Sequence, residues 1–184
     1  MNYNNATLTD AGVELLQDLT MTSGTLRISH VKLGKGAYSE ADDLTVRTNL
    51  KSQMQEFDVF QVEKDTHDQI RIVAIATNEG LREGYHITEM GIFALNSNDE
   101  EVLLAMAVAY DEAETDFMPA DDQSYLASIN ILSYIKVSNR VTVTAVSDTG
   151  YAALSDYLQT KIKVDTINVM DDGDGNVTLA LPIQ

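Results

Sequence analysis

The chain has 184 residues, no cysteine and a formal net charge of −17, with 12 basic and 29 acidic residues. The absence of cysteine excludes disulfides, thiolate zinc sites and cysteine nucleophiles, and the negative charge disfavours nucleic acid and anionic membranes as partners. No apolar run approaches the roughly 18 residues of a membrane span, and the first residues lack the basic and apolar regions of a signal peptide.

The first predicted element is a helix that follows Thr9. Thr9 is a suitable N-cap, and Asp10 suits the first turn because helix N-termini carry a partial positive charge. Gly12 costs a helix up to about 1 kcal/mol relative to alanine, so we expect a neighbouring backbone to pack closely against it. The apolar residues that follow have helical spacing: Val13, Leu15, Leu16 and Leu19.

Strands dominate the prediction after this helix. Residues 26–33 predict a strand with a bulge near Ser29 or His30, and the polar segment 39–49 predicts a loop with a short helical turn. Two hairpins follow, 54–64 with 69–77 and 85–95 with 102–110. Residues 125–134 and 140–146 predict two more strands, with a turn near residues 138–139.

An acidic stretch accompanies these strands. Between Glu83 and Ile135 the chain contains no lysine or arginine. The pattern predicts a solvated acidic face, with a docking face for a basic partner as the alternative. Its acidic residues include Asp99, Glu100, Glu101, Asp111, Glu112, Glu114, Asp116, Asp121 and Asp122.

The C-terminal segment predicts a second helix, 149–162, and a hairpin of strands 166–170 and 177–183. The helix is too short to be stable alone in water, so it must pack on the main domain or on copies of itself. Its apolar stripe is the candidate oligomerisation surface: Tyr151, Leu154, Leu158 and Ile162.

Together these elements predict an α+β fold. We expect an N-terminal helix packed on a mainly antiparallel sheet, followed by a short helix and a C-terminal β-hairpin. The predicted division is residues 1–148 as one domain and residues 149–184 as a helical neck and hairpin for oligomerisation or fibre connection.

Motifs for chemistry are weak in this sequence. Gly34 to Gly36 resembles part of a phosphate-binding loop but lacks the third glycine and a following helix. Asp172, Asp174 and Asn176 have calcium-loop spacing without the required later glycine and glutamate. The histidines, at positions 30, 67 and 86, have no metal-ligand spacing. We therefore predict no catalytic, cofactor or metal site.

Three ordered segments resemble one known family. The chain resembles phage tail-collar fibre proteins over about residues 6–146, in the order of that family's motifs. The residues that carry the resemblance are Leu8-Thr9-x-x-Gly12 with Leu15-Leu16, Ile28-x-x-Val31-x-Leu33-Gly34-x-Gly36, and Ile87-Thr88-Glu89-Met90-Gly91-Ile92-Phe93-Ala94 followed by residues 101–105.

This resemblance implies a non-enzymatic structural protein of a contractile tail. The implied role is attachment of a tail fibre to the baseplate as a short homotrimeric adaptor, with baseplate proteins and a separate distal fibre or receptor-binding protein as partners. The lack of cysteine and of signal-peptide features predicts synthesis in a cytoplasm. The resemblance implies that this cytoplasm is bacterial and that the protein is assembled into a virion or extracellular tail particle. The structural positions implied are Leu8, Thr9, Gly12, Gly34, Gly36, Glu89, Gly91 and Phe93.

Two alternative functions belong to other classes. A receptor-binding module for a cell-surface polymer predicts clustered exposed aromatic residues, with Tyr38, Tyr110, Tyr125 and Tyr134 as candidates. A hydrolase of the cell envelope has no support beyond abundant carboxylates, because the nucleophile motif G-x-S-x-G is absent.

Overall fold

The computed structural model describes residues 6–64, 68–121, 126–146, 168–171 and 177–180. The chain divides into two compact units, Met1–Asp148 and Thr149–Gln184. Among the described residues, the first unit contains one α-helix and ten strands, and the second contains two strands that pair antiparallel.

The elements follow one another along the chain with mostly short connections. The helices are α1 (Asp10–Thr22) and a single 3-10 turn, Glu112–Glu114. The strands are β1 (Thr7–Leu8), β2 (Thr25–Gly34), β3 (Gln53–Lys64), β4 (Gln69–Thr77), β5 (Tyr85–His86), β6 (Glu89–Leu95), β7 (Glu101–Val108), β8 (Phe117–Met118), β9 (Ser128–Lys136), β10 (Thr142–Ala145), β11 (Asn168–Asp171) and β12 (Val177–Ala180).

Helix α1 begins and ends at residues that satisfy its terminal backbone groups. Thr9 has an extended backbone, and its hydroxyl accepts a hydrogen bond from the Gly12 N–H at 3.0 Å. At the other end Ser23 adopts a left-handed conformation with φ of 54°, and its N–H donates to the Leu19 carbonyl. The N-cap and the helix predicted from the sequence are confirmed.

One curled sheet dominates the first unit. Its strand order is β1-β7-β6-β2-β3-β4-β9, with β10 beside β2, and only the β10–β2 pair is parallel. The curl is located at β3, which changes its pairing strand along its length. Its first half, to Asp58, pairs with β2, and its second half, from Val59, pairs with β4. Where β3 leaves β2, β10 takes its place opposite Thr25–Ile28.

Both faces of the sheet are covered around β6 and β7. The larger core includes Ile92, Ala94 and Leu104, while Phe93, Leu103 and Met106 belong to a second core on the other side. The loop 35–52 covers this second core and contributes Tyr38, Leu44 and Leu50 to it. Because both faces are buried, the apolar run in β7 lacks the alternation of a half-exposed strand.

The α+β prediction is wrong, because the fold is mostly β. Strands contribute far more residues than α1, which is the single α-helix among the described residues and is an addition to one edge of the curled sheet. Helical spacing at residues 9–19 identified α1 correctly, but the number of strands decides the class. The predicted helix at residues 149–162 lies outside the described residues.

Three strand predictions require correction. The segment 85–95 forms two strands that pair with different partners, β5 with β8 and β6 with β2 and β7. The strand predicted at 125–134 is β9, which begins at Ser128 and ends at Lys136. The strand predicted at 140–146 is β10, which is shorter than predicted, Thr142–Ala145, and pairs with β2. The bulge predicted near Ser29 or His30 is confirmed by a register shift between Ile28 and Val31.

Candidate functional site

Thr9 and Gly12 join α1 to the edge of the sheet. The Thr9 N–H donates to the Leu104 carbonyl at 3.1 Å, and the Thr9 hydroxyl donates to the Leu103 carbonyl. A Cβ on Gly12 would lie 2.9 Å from the Leu104 carbonyl carbon and closer still to its oxygen. The expected close backbone approach at Gly12 is therefore present, and the neighbouring backbone is that of β7.

Leu8 extends the same contact by pairing. Within β1, Thr7 and Leu8 lie opposite Met106 and Ala105 of β7. The first motif of the sequence therefore binds one edge of β7 through strand pairing, helix capping and close helix packing.

The second and third motifs meet at Glu89, whose side chain is fully buried. We call this group the Glu89 cluster: Gly36, Tyr38, Lys51, Ser52 and Glu89. Oε1 accepts hydrogen bonds from the Gly36 N–H at 3.0 Å and the Ser52 N–H at 2.7 Å. Oε2 accepts from the Tyr38 hydroxyl at 2.6 Å and the Lys51 N–H at 2.8 Å.

The two glycines leave the space that this carboxylate occupies. A Cβ on Gly36 would lie 2.7 Å from both Glu89 Oε1 and Lys51 Cβ. A Cβ on Gly34 would lie 2.9 Å from Glu89 Cγ and closer to the Ser52 carbonyl oxygen. Any larger residue at either position would therefore displace the carboxylate or the backbone at Ser52.

A second layer of polar contacts surrounds the Glu89 cluster. Lys51 Nζ lies 4.1 Å from the centre of the Tyr38 ring and 2.7 Å from Asp42 Oδ1. Hydrogen bonds from Lys51 and Ser39 lower the pKa of Asp42 to about 2. Burial, and then the hydrogen bond to Glu89, raise the pKa of the Tyr38 hydroxyl, which therefore stays protonated and donates to Glu89.

Thr88 fixes the loop 35–52 from the strand side. Its hydroxyl donates to the Gly36 carbonyl at 2.8 Å, and its N–H donates to the Gly34 carbonyl at 3.0 Å. Both ends of the loop are thus hydrogen-bonded to the start of β6. Gly36, near the first residue of the loop, bonds with Thr88 and Glu89, and Ser52, its last residue, bonds with Glu89.

Gly91 and Phe93 continue the third motif into the second core. A Cβ on Gly91 would lie 2.9 Å from side-chain atoms of Leu103 and Phe93. Phe93 is buried, and Lys32 Nζ lies 4.3 Å from the centre of its ring. The eight structural positions that the resemblance implies therefore all lie in or beside the packing of β1, α1 and the loop 35–52 on the sheet.

The Glu89 cluster is suited to holding a loop and unsuited to acid–base chemistry on a substrate. The carboxylate is inaccessible, and four donors already occupy both of its oxygens. The Gly36 N–H, which a phosphate-binding loop would direct at a ligand, donates instead to Glu89. Burial of a charge is tolerated here because charge-assisted hydrogen bonds replace its hydration.

A second polar cluster was not identified from the sequence. Lys32 is buried, and its Nζ lies 2.5 Å from Glu101 Oε2 and 3.0 Å from Glu56 Oε2. Glu101 also accepts from Ser29 at 2.7 Å and contacts His30 Nδ1 at 2.6 Å. Local sequence gives little signal for this cluster, because Lys32 lies on β2 and its acidic partners lie on β3 and β7.

Desolvation acts against both charges of the Lys32–Glu101 pair. Burial alone lowers the pKa of Lys32, but its hydrogen bonds to Glu101 and Glu56 outweigh burial, so its pKa is raised. Burial alone raises the pKa of Glu101. Its hydrogen bonds with Lys32, Ser29 and His30 together outweigh burial, so its pKa is lowered. The pair therefore stays charged across the neutral pH range.

Asn78 is another buried polar residue that sequence reasoning missed. Its side-chain oxygen accepts from the Ala127 N–H at 2.9 Å, and its amide nitrogen donates to the Ala120 carbonyl at 3.2 Å. Its backbone N–H also donates to the Ala127 carbonyl at 3.2 Å. Asn78 thus fixes the chain on either side of the segment 121–126 to the end of β4.

The four candidate receptor-binding tyrosines do not form one exposed group among the described residues. Tyr38 is buried in the Glu89 cluster, whereas Tyr110 and Tyr134 are exposed. Tyr125 lies outside the described residues, as do the four candidate oligomerisation residues. Those four are Tyr151, Leu154, Leu158 and Ile162.

The described residues contain little that resembles a ligand or metal site. Within these ranges no three histidine, aspartate or glutamate side chains are grouped closely enough to bind a metal ion. His30 contacts Glu101, and His86 Nδ1 lies 3.3 Å from Thr115 Oγ1. His67 and the segment 172–176, which has calcium-loop spacing, lie outside the described residues. No helix in the described part of the chain has the length and apolar composition needed to cross a membrane.

Comparisons with known proteins add no relative. No protein-family model, curated protein or solved structure matches the chain.

Proposed function

We propose that this chain is a non-enzymatic structural component of a phage-type contractile tail, in which residues 1–148 attach a tail fibre to the baseplate. The observation that carries the proposal is the Glu89 cluster. The residues that resemble tail-collar fibre proteins at this point, Gly34, Gly36 and Glu89, all contribute to one inaccessible hydrogen-bonded contact.

A rigid attachment domain needs this kind of contact. A fibre transmits force to its attachment point, so surface loops must be held by buried interactions rather than by exposed ones. Charge-assisted hydrogen bonds inside a low-dielectric core are stronger than those at the surface. The Glu89 cluster gives the loop 35–52 such a connection, and the Asp10 N–H donates to the Thr45 carbonyl at 2.7 Å to join α1 to the same loop.

The proposal includes a homotrimer and a virion or extracellular particle as its final location. The stripe Tyr151, Leu154, Leu158 and Ile162 would form a short three-fold neck, and residues 166–183 would begin a fibre or receive the next protein. Its partners would be baseplate proteins and a separate distal fibre or receptor-binding protein. These elements rest on the family resemblance and on the apolar stripe in the sequence.

The test is deletion of the gene from the producing genome, followed by negative-stain electron microscopy of the released particles. We expect complete tails and baseplates that lack fibres, with fibres restored by the wild-type gene. Fibres at normal number on the deletion particles would overturn the proposal.

A further inference from the structure

Strand β9 leaves one long edge of the curled sheet open. It pairs with β4 along its whole length, from Ser128 opposite Thr77 to Lys136 opposite Gln69. No strand in the described ranges pairs with its other edge. An edge of nine residues presents a row of backbone donors and acceptors, which proteins normally shorten, charge or cover.

The opposite edge of the same sheet is treated differently. There β1 pairs with β7 at Met106 and Ala105, and Thr9 donates to the carbonyls of Leu103 and Leu104. One edge is therefore covered by the chain itself, whereas no described strand pairs with the outer edge of β9.

The side chains of β9 on its outer face are suited to pairing rather than to solvation. Leu132 is 53% exposed and Tyr134 is 50% exposed, while Ile131 and Ile135, which point to the other face, are buried. The exposed residues alternate along the strand: Ser128, Asn130, Leu132, Tyr134 and Lys136. Side chains that lie directly opposite each other on paired strands stabilise the pairing, so apolar residues at the centre of this face can contact a similar strand.

Charge favours a second copy of this chain as that partner. The chain carries −17, yet β4 and β9 together contain no aspartate or glutamate and include Arg71 and Lys136. Two copies that meet at β9 therefore avoid the carboxylate repulsion that other faces would produce.

We propose that β9 pairs antiparallel with β9 of a second copy, about a two-fold axis at Leu132. Leu132 is the central residue of the strand, so this register pairs all nine residues. It places Leu132 opposite Leu132, Asn130 opposite Tyr134, and Ser128 opposite Lys136. No two like charges are opposed in this arrangement.

The ends of the paired strands are complementary in charge. An open cavity of about 420 Å³ lies beside the start of β9, and its lining includes Asp116, Phe117, Ser128 and Ile129. In the proposed register, Lys136 of the second copy lies opposite Ser128, which lines the same cavity as Asp116. The two-fold axis repeats this arrangement at the other end.

This contact is separate from the proposed three-fold neck. A two-fold contact between identical strands cannot close a ring of three copies. If the neck forms as well, the β9 contact joins trimers and the assembly contains at least six copies; without the neck it contains two. The two-fold contact therefore goes beyond the proposed function, and its absence would leave the proposed function intact.

The first test is a disulfide cross-link, which the absence of native cysteine makes specific. Paired residues on antiparallel strands have Cα atoms about 4.5–5.5 Å apart, which is within the range for a disulfide. Leu132→Cys in the full chain should form a covalent dimer under mild oxidation. Asn130→Cys, which would face Tyr134, and Met21→Cys, on the exposed surface of α1, should remain monomeric on a denaturing gel.

No cross-link from Leu132→Cys, or an equal yield from Met21→Cys, would overturn the inference. A preferential cross-link from Asn130→Cys would overturn the proposed register and its axis.

The second test is sedimentation equilibrium of the full chain. Leu132→Lys would oppose two lysines at the axis, so its dissociation constant for the β9 contact should rise by at least about tenfold. Met21→Lys should have no effect, and the circular dichroism of both variants should match the wild type because both positions are exposed. A wild-type mass of one or three copies, or an unchanged constant for Leu132→Lys, would overturn the inference.

Discussion

At the scale of single residues, Glu89 illustrates how a buried charge is accommodated without a cation. Its carboxylate is fully buried, and three of its four donors are backbone N–H groups, from Gly36, Lys51 and Ser52. The ammonium of Lys51 is directed elsewhere, toward Asp42 and the Tyr38 ring. The carboxylate therefore accepts hydrogen bonds from three backbone groups of the loop 35–52 at one point.

Glu89→Gln should lower the free energy of unfolding by about 2–5 kcal/mol, because its amide nitrogen would face two donors and each unsatisfied buried group costs about 1–3 kcal/mol. Urea unfolding at neutral pH measures this change. Glu79→Gln, the same substitution at an exposed loop position, should change stability by less than about 0.5 kcal/mol. Equal effects of the two substitutions would contradict the structural role of Glu89.

The Lys32–Glu101 pair predicts a defined pH dependence. The pKa of Glu101 is lowered from 4.5, so its stabilisation is present above that pH and is lost as pH falls through the folded-state value. The pKa of Lys32 is raised from 10.5, so its stabilisation is complete below that pH and is lost above it. The pair therefore stabilises the fold between the two values.

Glu101→Gln should accordingly destabilise the protein by about 1–2 kcal/mol near pH 7. This is less than for a fully buried ion pair, because water screens the exposed part of the carboxylate. The difference from wild type should shrink below pH 4.5. Urea unfolding at about pH 7 and about pH 3.5 measures both differences. A difference that stays constant over this range would show that the ion pair is not its source.

The sequence pointed to part of the Glu89 cluster. Gly34, Gly36 and Glu89 were named as structural positions from motif resemblance. Tyr38 and Lys51 were not assigned as partners of Glu89, because they are 51 and 38 residues away along the chain. Contacts of such separation depend on how the loop 35–52 folds back, which local periodicity does not encode.

At the scale of elements, the docking of α1 depends on the absence of a side chain at Gly12. Alanine at this position would favour the helix by about 1 kcal/mol in isolation. In the folded protein its Cβ would overlap the Leu104 carbonyl, so the helix would have to move away from β7. Packing and propensity therefore make opposite predictions at this residue.

We expect packing to dominate, with Gly12→Ala lowering the free energy of unfolding by about 1–3 kcal/mol, the usual cost of overpacking. Thermal or urea unfolding measures this. Gln17→Ala, on the exposed side of the same helix, controls for the helix preference of alanine and should be neutral or slightly stabilising. A more stable Gly12→Ala protein would contradict the close packing of α1 on β7.

Local elements were predicted better than their partners. The β6–β7 hairpin was predicted because its turn is encoded locally: Asn96 Oδ1 accepts from the N–H groups of Asn98 and Glu100, and Asp99 has a positive φ of 62°. The pairing of β10 with β2 was not predicted, because it joins residues more than a hundred positions apart. Likewise, the sequence does not mark where β3 changes partners at Val59.

At the scale of the whole molecule, the fold class was predicted wrongly because the N-terminal helix was treated as a layer of its own beside the sheet. The curled sheet supplies most of its own covering, since its strands bend at register shifts and the loop 35–52 closes the second face. Bulges of this kind increase twist and bend strands, but they leave little trace in apolar alternation. The many strands decide the fold class, and their curvature explains how the sheet covers its own core.

Among the described strands, the edge of β7 is covered by β1, and the outer edge of β9 has no pairing strand. The strands β4 and β9 contain no aspartate or glutamate, so two copies can approach at this edge with less carboxylate repulsion than elsewhere. Attachment to a baseplate would use other surfaces, so the two-fold contact and the proposed attachment are separable by experiment.

The most direct measurement of the central claim is the number of fibres per particle after deletion of the gene, counted by negative-stain electron microscopy. Our account predicts complete contractile tails with baseplates and without fibres, and recovery of fibres when the wild-type or the Gln17→Ala gene is supplied. A normal number of fibres on the deletion particles would contradict it.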